Sequence, residues 1–182
     1  MKSIVWAFLV VIVLIFLLGA AVIWSGTYNV AADVPHWNVT LSILDEAREW
    51  SVETHSRDIV PPPLQGEQLI DRGFSHFHAM CRFCHGAPGT GPVEFALGLY
   101  PKPPLFPSRE VQQELNDAEL YWIVRHGLKM TGMPSFGVTQ SEEDLWAIVA
   151  FLRRLPTLSP QEYQAMVQKA GLGWGEGEGK HS

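Results

Sequence analysis

Residues 81–85 read Cys81-Arg82-Phe83-Cys84-His85 and hold both cysteines of the chain. The C-x-x-C-H spacing is the attachment signature of a c-type haem. Two thiols one helical turn apart can each form a thioether to one porphyrin vinyl group, and the adjacent imidazole then faces the iron as proximal axial ligand. Three other readings are weaker. A redox dithiol expects C-x-x-C within an α/β pattern, and no strand-like alternation is visible here. A structural zinc site needs a further ligand pair, and neither His78 nor His126 stands at ligand spacing. A Cys81–Cys84 disulfide would close too small a loop to stabilise much.

Working outward from the motif, every periodic segment is helical. Gln65–Met80 carries Leu69, Gly73, Phe77 and Met80 along one stripe. Residues 86–107 are rich in Gly and Pro and predict an irregular loop. Asp117–His126 reads as a short helix capped by Asn116 or Asp117 and closed by Gly127. After a second irregular stretch, 128–140, the start signal Ser141-Glu142-Glu143-Asp144 opens a helix with Leu145, Ile148, Val149 and Leu152 on one face. Pro156 ends it. Ser159-Pro160 then opens a last helix to about Ala170, before a Gly-rich tail that is expected to be flexible. The fold class is therefore all-α. Its core is thin for a domain with two long irregular loops, and something besides side chains is expected to fill it.

The N-terminal third is different in kind. The uncharged run Ile4–Trp24 would reach about 31 Å as a helix, close to the hydrocarbon thickness of a bilayer. Trp6 lies near one end, with Trp24 and Tyr28 near the other, where aromatic rings favour the interface. Lys2 precedes the run, whereas the first basic residue after it is Arg48. The positive-inside rule puts the N-terminus in the cytoplasm and the rest outside. A cleaved signal peptide is the rival, with Gly19-Ala20-Ala21 or Val30-Ala31-Ala32 as cleavage sites, but the run is longer than a usual signal core. The expected layout is a transmembrane anchor over 1–28, a helical stalk over 29–63, the haem domain over 64–158, and a C-terminal helix and tail over 159–182. Within the stalk, Leu41–His55 predicts a helix with Thr40 as N-cap, and Pro61-Pro62-Pro63 a stiff spacer. The net charge of −6 excludes a basic nucleic-acid footprint.

The run 64–158 resembles a class I monohaem cytochrome c. The matching pieces are Cys81-Arg82-Phe83-Cys84-His85-Gly86, the loop Lys102-Pro103-Pro104-Leu105, the helix ending His126-Gly127, the motif Gly132-Met133-Pro134-Ser135-Phe136-Gly137, and the helix Leu145–Leu152. The resemblance implies a methionine as second axial ligand. Thioether sulfur suits low-spin haem iron, and a His/Met pair raises the reduction potential. Met133 is the candidate, with Met130 as its rival, while Met80 is expected to pack. His76, His78 and His126 are expected at the helix surface or haem edge. The resemblance also implies a proline carbonyl that accepts a hydrogen bond from the proximal histidine and fixes its tautomer; Pro103 and Pro104 both qualify. It further implies that the first and last helices cross at a glycine and an aromatic residue, Gly73 with Phe77 and Phe151 or Trp146.

The expected function is one-electron transfer by a membrane-anchored cytochrome carrying one covalently attached haem c, not catalysis on a substrate. It would sit in a bacterial inner (cytoplasmic) membrane with the haem domain in the periplasm, exchanging electrons with respiratory-chain or dehydrogenase partners. The acidic balance predicts a basic docking patch on at least one partner. One alternative is a dedicated cytochrome subunit of a membrane dehydrogenase or oxidase complex. Another is a haem sensor or peroxidase-like enzyme, which needs a labile distal ligand.

Overall fold

The structure is a computed structural model that describes residues 2–108 and 114–173. Every regular element among the described residues is helical, with no strand beyond an isolated bridge between Ala87 and Thr90. The tail from Trp174 onward, expected to be flexible, lies outside the described residues.

Helix α1, Lys2–Ser25, is long and apolar enough to cross a membrane, and none of its residues is buried. An exposed helix that is apolar on every side has no place in water. It fits a membrane anchor.

The next helix, α2, runs from Asn38 to Ser56. It starts two residues before the expected cap. Trp37 holds the extended backbone that precedes the helix, its carbonyl accepts from the Leu41 amide at 2.9 Å, and no side chain caps the end. Nor does the segment stand free as a spacer. Val52 and Ser56 are buried, the His55 ring lies 5.6 Å from that of Trp122, and Ile59 packs on the main core. Nearer the anchor, Tyr28 and His36 share a 2.6 Å hydrogen bond, and the His36 amide donates to the Tyr100 hydroxyl at 3.0 Å. Periodicity shows that a helix is amphipathic, not which surface its apolar flank will find.

Helix α3, Glu67–His76, continues through a π-helical turn, Phe77–Cys81, into α4, Arg82–His85. A π turn carries more residues than an α turn and so re-aims the side chains that follow it. The haem-binding motif begins on its last residue. A short helix α5, Glu94–Leu97, lies in the glycine- and proline-rich loop. Helix α6, Asp117–His126, starts with a capping box between Asn116 and Glu119. Helix α7, Glu142–Arg154, starts with one between Ser141 and Asp144.

The core is the crossing of α3 and α7. Leu145 and the unbroken run Ala147–Leu152 are all buried, so α7 is covered on nearly every side. At the crossing a Cβ on Gly73 would collide with the Ala147 carbonyl oxygen and come within 2.9 Å of the Phe151 Cβ. Phe74 and Phe77 pack on Phe151 with ring centroids 5.5 and 5.2 Å apart. Trp146, the other candidate for this place, instead stacks on Tyr121 of α6 at 4.1 Å.

Helix α8, Pro160–Lys169, is capped by Ser159 and drives Tyr163 and Val167 into this same core. The packed unit thus extends past the boundary expected at 158. Tyr163 also accounts for His78, which is buried rather than at the surface, with Nδ1 3.0 Å from the Tyr163 hydroxyl.

Asp144 ties the two crossing helices together. It completes the cap of α7 through Ser141, and it accepts from Arg72 Nε at 2.6 Å and His76 Nε2 at 2.9 Å. The Ser141 hydroxyl, then Arg72 and His76, hold its carboxyl well below the usual carboxylate range. A pKa lower in the folded than in the unfolded chain contributes stability above the unfolded value of about 4, and that stability is lost as pH falls through the folded one. Asp144→Ala is expected to cost about 1–2 kcal/mol at neutral pH. In thermal melts at a series of pH values, the gap between wild type and variant should close only in strong acid.

Candidate haem site

The motif ends the first helix of the domain. Cys81 and His85 are buried, Cys84 is half-buried, and both cysteines are free thiols. Burial, with a smaller contribution from Cys84, pushes the Cys81 thiol up to about 12, and burial raises Cys84 as well. Neither thiol has the depressed pKa of a redox-active dithiol.

Gly86 turns the chain out of the helix at a φ of 69°. The loop then returns, with the Phe106 amide donating to the His85 carbonyl at 3.2 Å and the Phe106 ring stacked on the imidazole at 4.1 Å. This return brings the Pro104 carbonyl to 2.8 Å from His85 Nδ1. Pro104, not Pro103, takes that contact. Because a carbonyl can only accept, Nδ1 carries the proton and Nε2 keeps its lone pair. Burial lowers the His85 pKa, opposed by the Pro104 contact, so the ring is a neutral imidazole at neutral pH, as a metal ligand must be.

The second loop is braced against the end of α6. Gly127 has a φ of 67°, and a Cβ there would meet the Pro134 carbonyl carbon at 2.6 Å. The Leu128 amide donates to the Met133 carbonyl at 3.2 Å, the Met133 amide to Thr131 Oγ1 at 3.0 Å, and the Ser135 hydroxyl to the Arg125 carbonyl at 2.8 Å. Met133 is half-buried against the hydrophobic core that also contains Cys81 and Phe106. Met130, by contrast, is 73% exposed.

The other candidate ligands are engaged elsewhere. His76 binds Asp144, His78 binds Tyr163, and His126 lies on the surface beside Trp122. Met80 packs against the core, 3.9 Å from Gln140 Nε2. Among the described residues no group of three or more His, Cys, Asp or Glu side chains is gathered to hold a metal ion. The candidate donors are thus the His85 imidazole with Nδ1 engaged by Pro104, the Met133 thioether partly buried against the core, and the thiols of Cys81 and Cys84. That set fits a haem c, with the thiols to hold the macrocycle and the imidazole and thioether to meet iron. Phe106 and Thr131 were not legible as parts of the site, since no spacing rule marks a stacking ring or a loop brace.

Comparison with known proteins agrees with this chemistry. Residues 68–152 match the family model described as cytochrome c oxidase, cbb3-type, subunit III. No curated protein matches the chain. The matched segment holds the attachment motif, the Pro104 loop, Met133 and the whole α3–α7 crossing. The chain therefore carries a c-type cytochrome domain, a haem-based electron-transfer unit, behind one apolar N-terminal helix that fits membrane anchoring.

Proposed function

We propose that this protein is a membrane-anchored monohaem cytochrome that moves single electrons between respiratory-chain or dehydrogenase partners on the outer, periplasmic face of a bacterial inner membrane. The observation that carries the reading is the 2.8 Å contact between His85 Nδ1 and the Pro104 carbonyl, which leaves Nε2 for a ligand role one residue after Cys84. Cys81 and Cys84 would hold the macrocycle through two thioether links, each formed by addition of an S–H across one vinyl group, which needs no oxidant. His85 through Nε2 and Met133 through Sδ would hold the iron. When bound, the iron would supply a one-electron couple; the chain's part is to hold the group through these four residues and to keep the His85 Nδ1 proton directed at the Pro104 carbonyl. With both positions held in this way the site would have no place for a substrate, which sets this reading against a sensor or a peroxidase.

The second reading is a dedicated subunit of an oxidase or dehydrogenase complex. It is favoured by the oxidase-subunit family match and by the outer flank of α2, where Val39, Ile43 and Trp50 are exposed. The same helix carries Asp45, Glu46, Glu49 and Glu53, which suits a partner with a basic docking patch. Co-purification of a stable complex after detergent extraction distinguishes this reading from a lone carrier.

The visible and near-infrared spectra of the purified holoprotein test the central claim. A low-spin c-type spectrum with the methionine-to-iron band, indifferent to carbon monoxide, is expected. A high-spin spectrum, or prompt carbon monoxide binding by the wild type, would sink it. Covalent attachment has its own test: Cys81→Ser with Cys84→Ser should yield a haem that acidified acetone extracts, while the wild type retains its haem.

A further inference from the structure

We propose that helix α8 aims the candidate haem motif, with His78 and Tyr163 as the positioning pair for Cys81, Cys84 and His85. This rests on the haem reading above and adds what holds the attachment residues in direction. The family match stops at residue 152, so α8 comes from beyond the matched segment.

The motif opens on a backbone that needs support. In the π turn Phe77–Cys81 the Arg82 amide donates to the Phe77 carbonyl, five residues back, where an α turn would reach four. If this turn relaxed to an α turn, every later residue would rotate by about 100° around the helix axis and move about 1.5 Å along it. Cys81, Cys84 and His85 would then leave the direction they now share, and His85 Nδ1 would be drawn from the Pro104 carbonyl 2.8 Å away.

One helix opposes that rotation on both sides of the motif. Ahead of it, His78 lies inside the π turn with its ring buried. Its Nδ1 is 3.0 Å from the Tyr163 hydroxyl and its Nε2 is 3.3 Å from the Gly173 carbonyl just past α8. Because a carbonyl can only accept, Nε2 carries a proton, and contacts at both ring nitrogens fix the direction of the side chain. Behind the motif, Gly89 sits in the tight turn closed by the paired amides of Ala87 and Thr90. A Cβ on Gly89 would come within 2.9 Å of Pro160 Cβ, at the start of α8. His78 and Gly89 thus bracket the motif, and both rest on the same helix. A free helix of ten residues would be marginal in water. This one is held by the Ser159–Glu162 capping box, by Tyr163 against Phe74 with ring centroids 5.3 Å apart, and by Lys169 Nζ 2.6 Å from Asp71 of α3.

The test compares two variants of the full-length holoprotein in detergent micelles. Tyr163→Phe removes only the hydroxyl and keeps the ring against Phe74 and Phe151. Val167→Ala removes buried methyl groups from the same helix and leaves His78 and Tyr163 untouched. Two signals are read. Amide exchange over residues 77–85, followed by mass spectrometry, reports the π turn, and electron paramagnetic resonance of the oxidised haem senses the direction of the axial imidazole. Tyr163→Phe is expected to speed exchange over 77–85 about tenfold and to shift the resonance. Val167→Ala is expected to lower the melting temperature at least as far, with both signals at wild-type values. The proposal is overturned if Tyr163→Phe leaves either signal unchanged. It is equally overturned if Val167→Ala moves them as far as Tyr163→Phe does, since α8 would then add stability and nothing more. A wild type that carries no covalently held haem would instead defeat the haem reading, and exchange over 77–85 would still decide whether Tyr163 holds the turn.

Discussion

Met133→Ala is expected to abolish the methionine-to-iron charge-transfer band, open the distal position to carbon monoxide and lower the reduction potential. Thioether sulfur is a soft donor that favours the reduced iron, so its loss stabilises the oxidised form. Axial ligation moves haem potentials over a span of about 0.8 V, and a sizeable share of that span should be lost in the variant. The fold should survive, because the loop is held by Thr131, Leu128 and Ser135 through backbone contacts that alanine leaves in place. Met130→Ala is the control. Its side chain points to water, so the band, the potential and the resistance to carbon monoxide should remain at wild-type values. If Met130→Ala removes the band and Met133→Ala does not, the assignment is reversed.

Gly73→Ala is expected to destabilise the α3–α7 crossing severely. On an isolated helix this change would gain about 1 kcal/mol from propensity. Here the added methyl meets the Ala147 carbonyl oxygen, a backbone atom on a helix that is buried along nearly its whole length. Neither side can give way without parting Phe74 and Phe77 from Phe151. Overpacking of this kind costs about 1–3 kcal/mol where side chains can adjust, and more where they cannot. A net loss of about 3 kcal/mol or more is therefore expected, a large part of the 5–15 kcal/mol that holds a typical domain folded. Thermal melts and the yield of haem-loaded protein read it out. Gly98→Ala is the matched control, because the nearest atom to its Cβ position is the Phe95 carbonyl oxygen at 3.6 Å and its backbone suits any residue. A Gly73→Ala variant as stable as Gly98→Ala would show that the crossing can open.

Much of the site was readable because its chemistry is local. Cys81, Cys84 and His85 are neighbours in one helical turn, so spacing alone says what they can hold. The caps at Asn116, Ser141 and Ser159 were equally plain, since a capping box involves only residues three apart. His78 could not be read this way. As a lone histidine it was expected at the helix surface or haem edge, and only the arrival of Tyr163, from a helix that follows the expected domain boundary, gives it a buried partner.

By itself the sequence determined an all-helical chain, an apolar N-terminal span, and a C-x-x-C-H motif followed by a loop methionine. Hydrophobic period, capping chemistry and ligand spacing are all written within a few residues of one another. Tertiary structure alone decided between Pro104 and Pro103, separated the half-buried Met133 from the exposed Met130, and folded the supposed stalk helix onto α6. Each of those outcomes depends on which surfaces meet after the chain has turned back on itself.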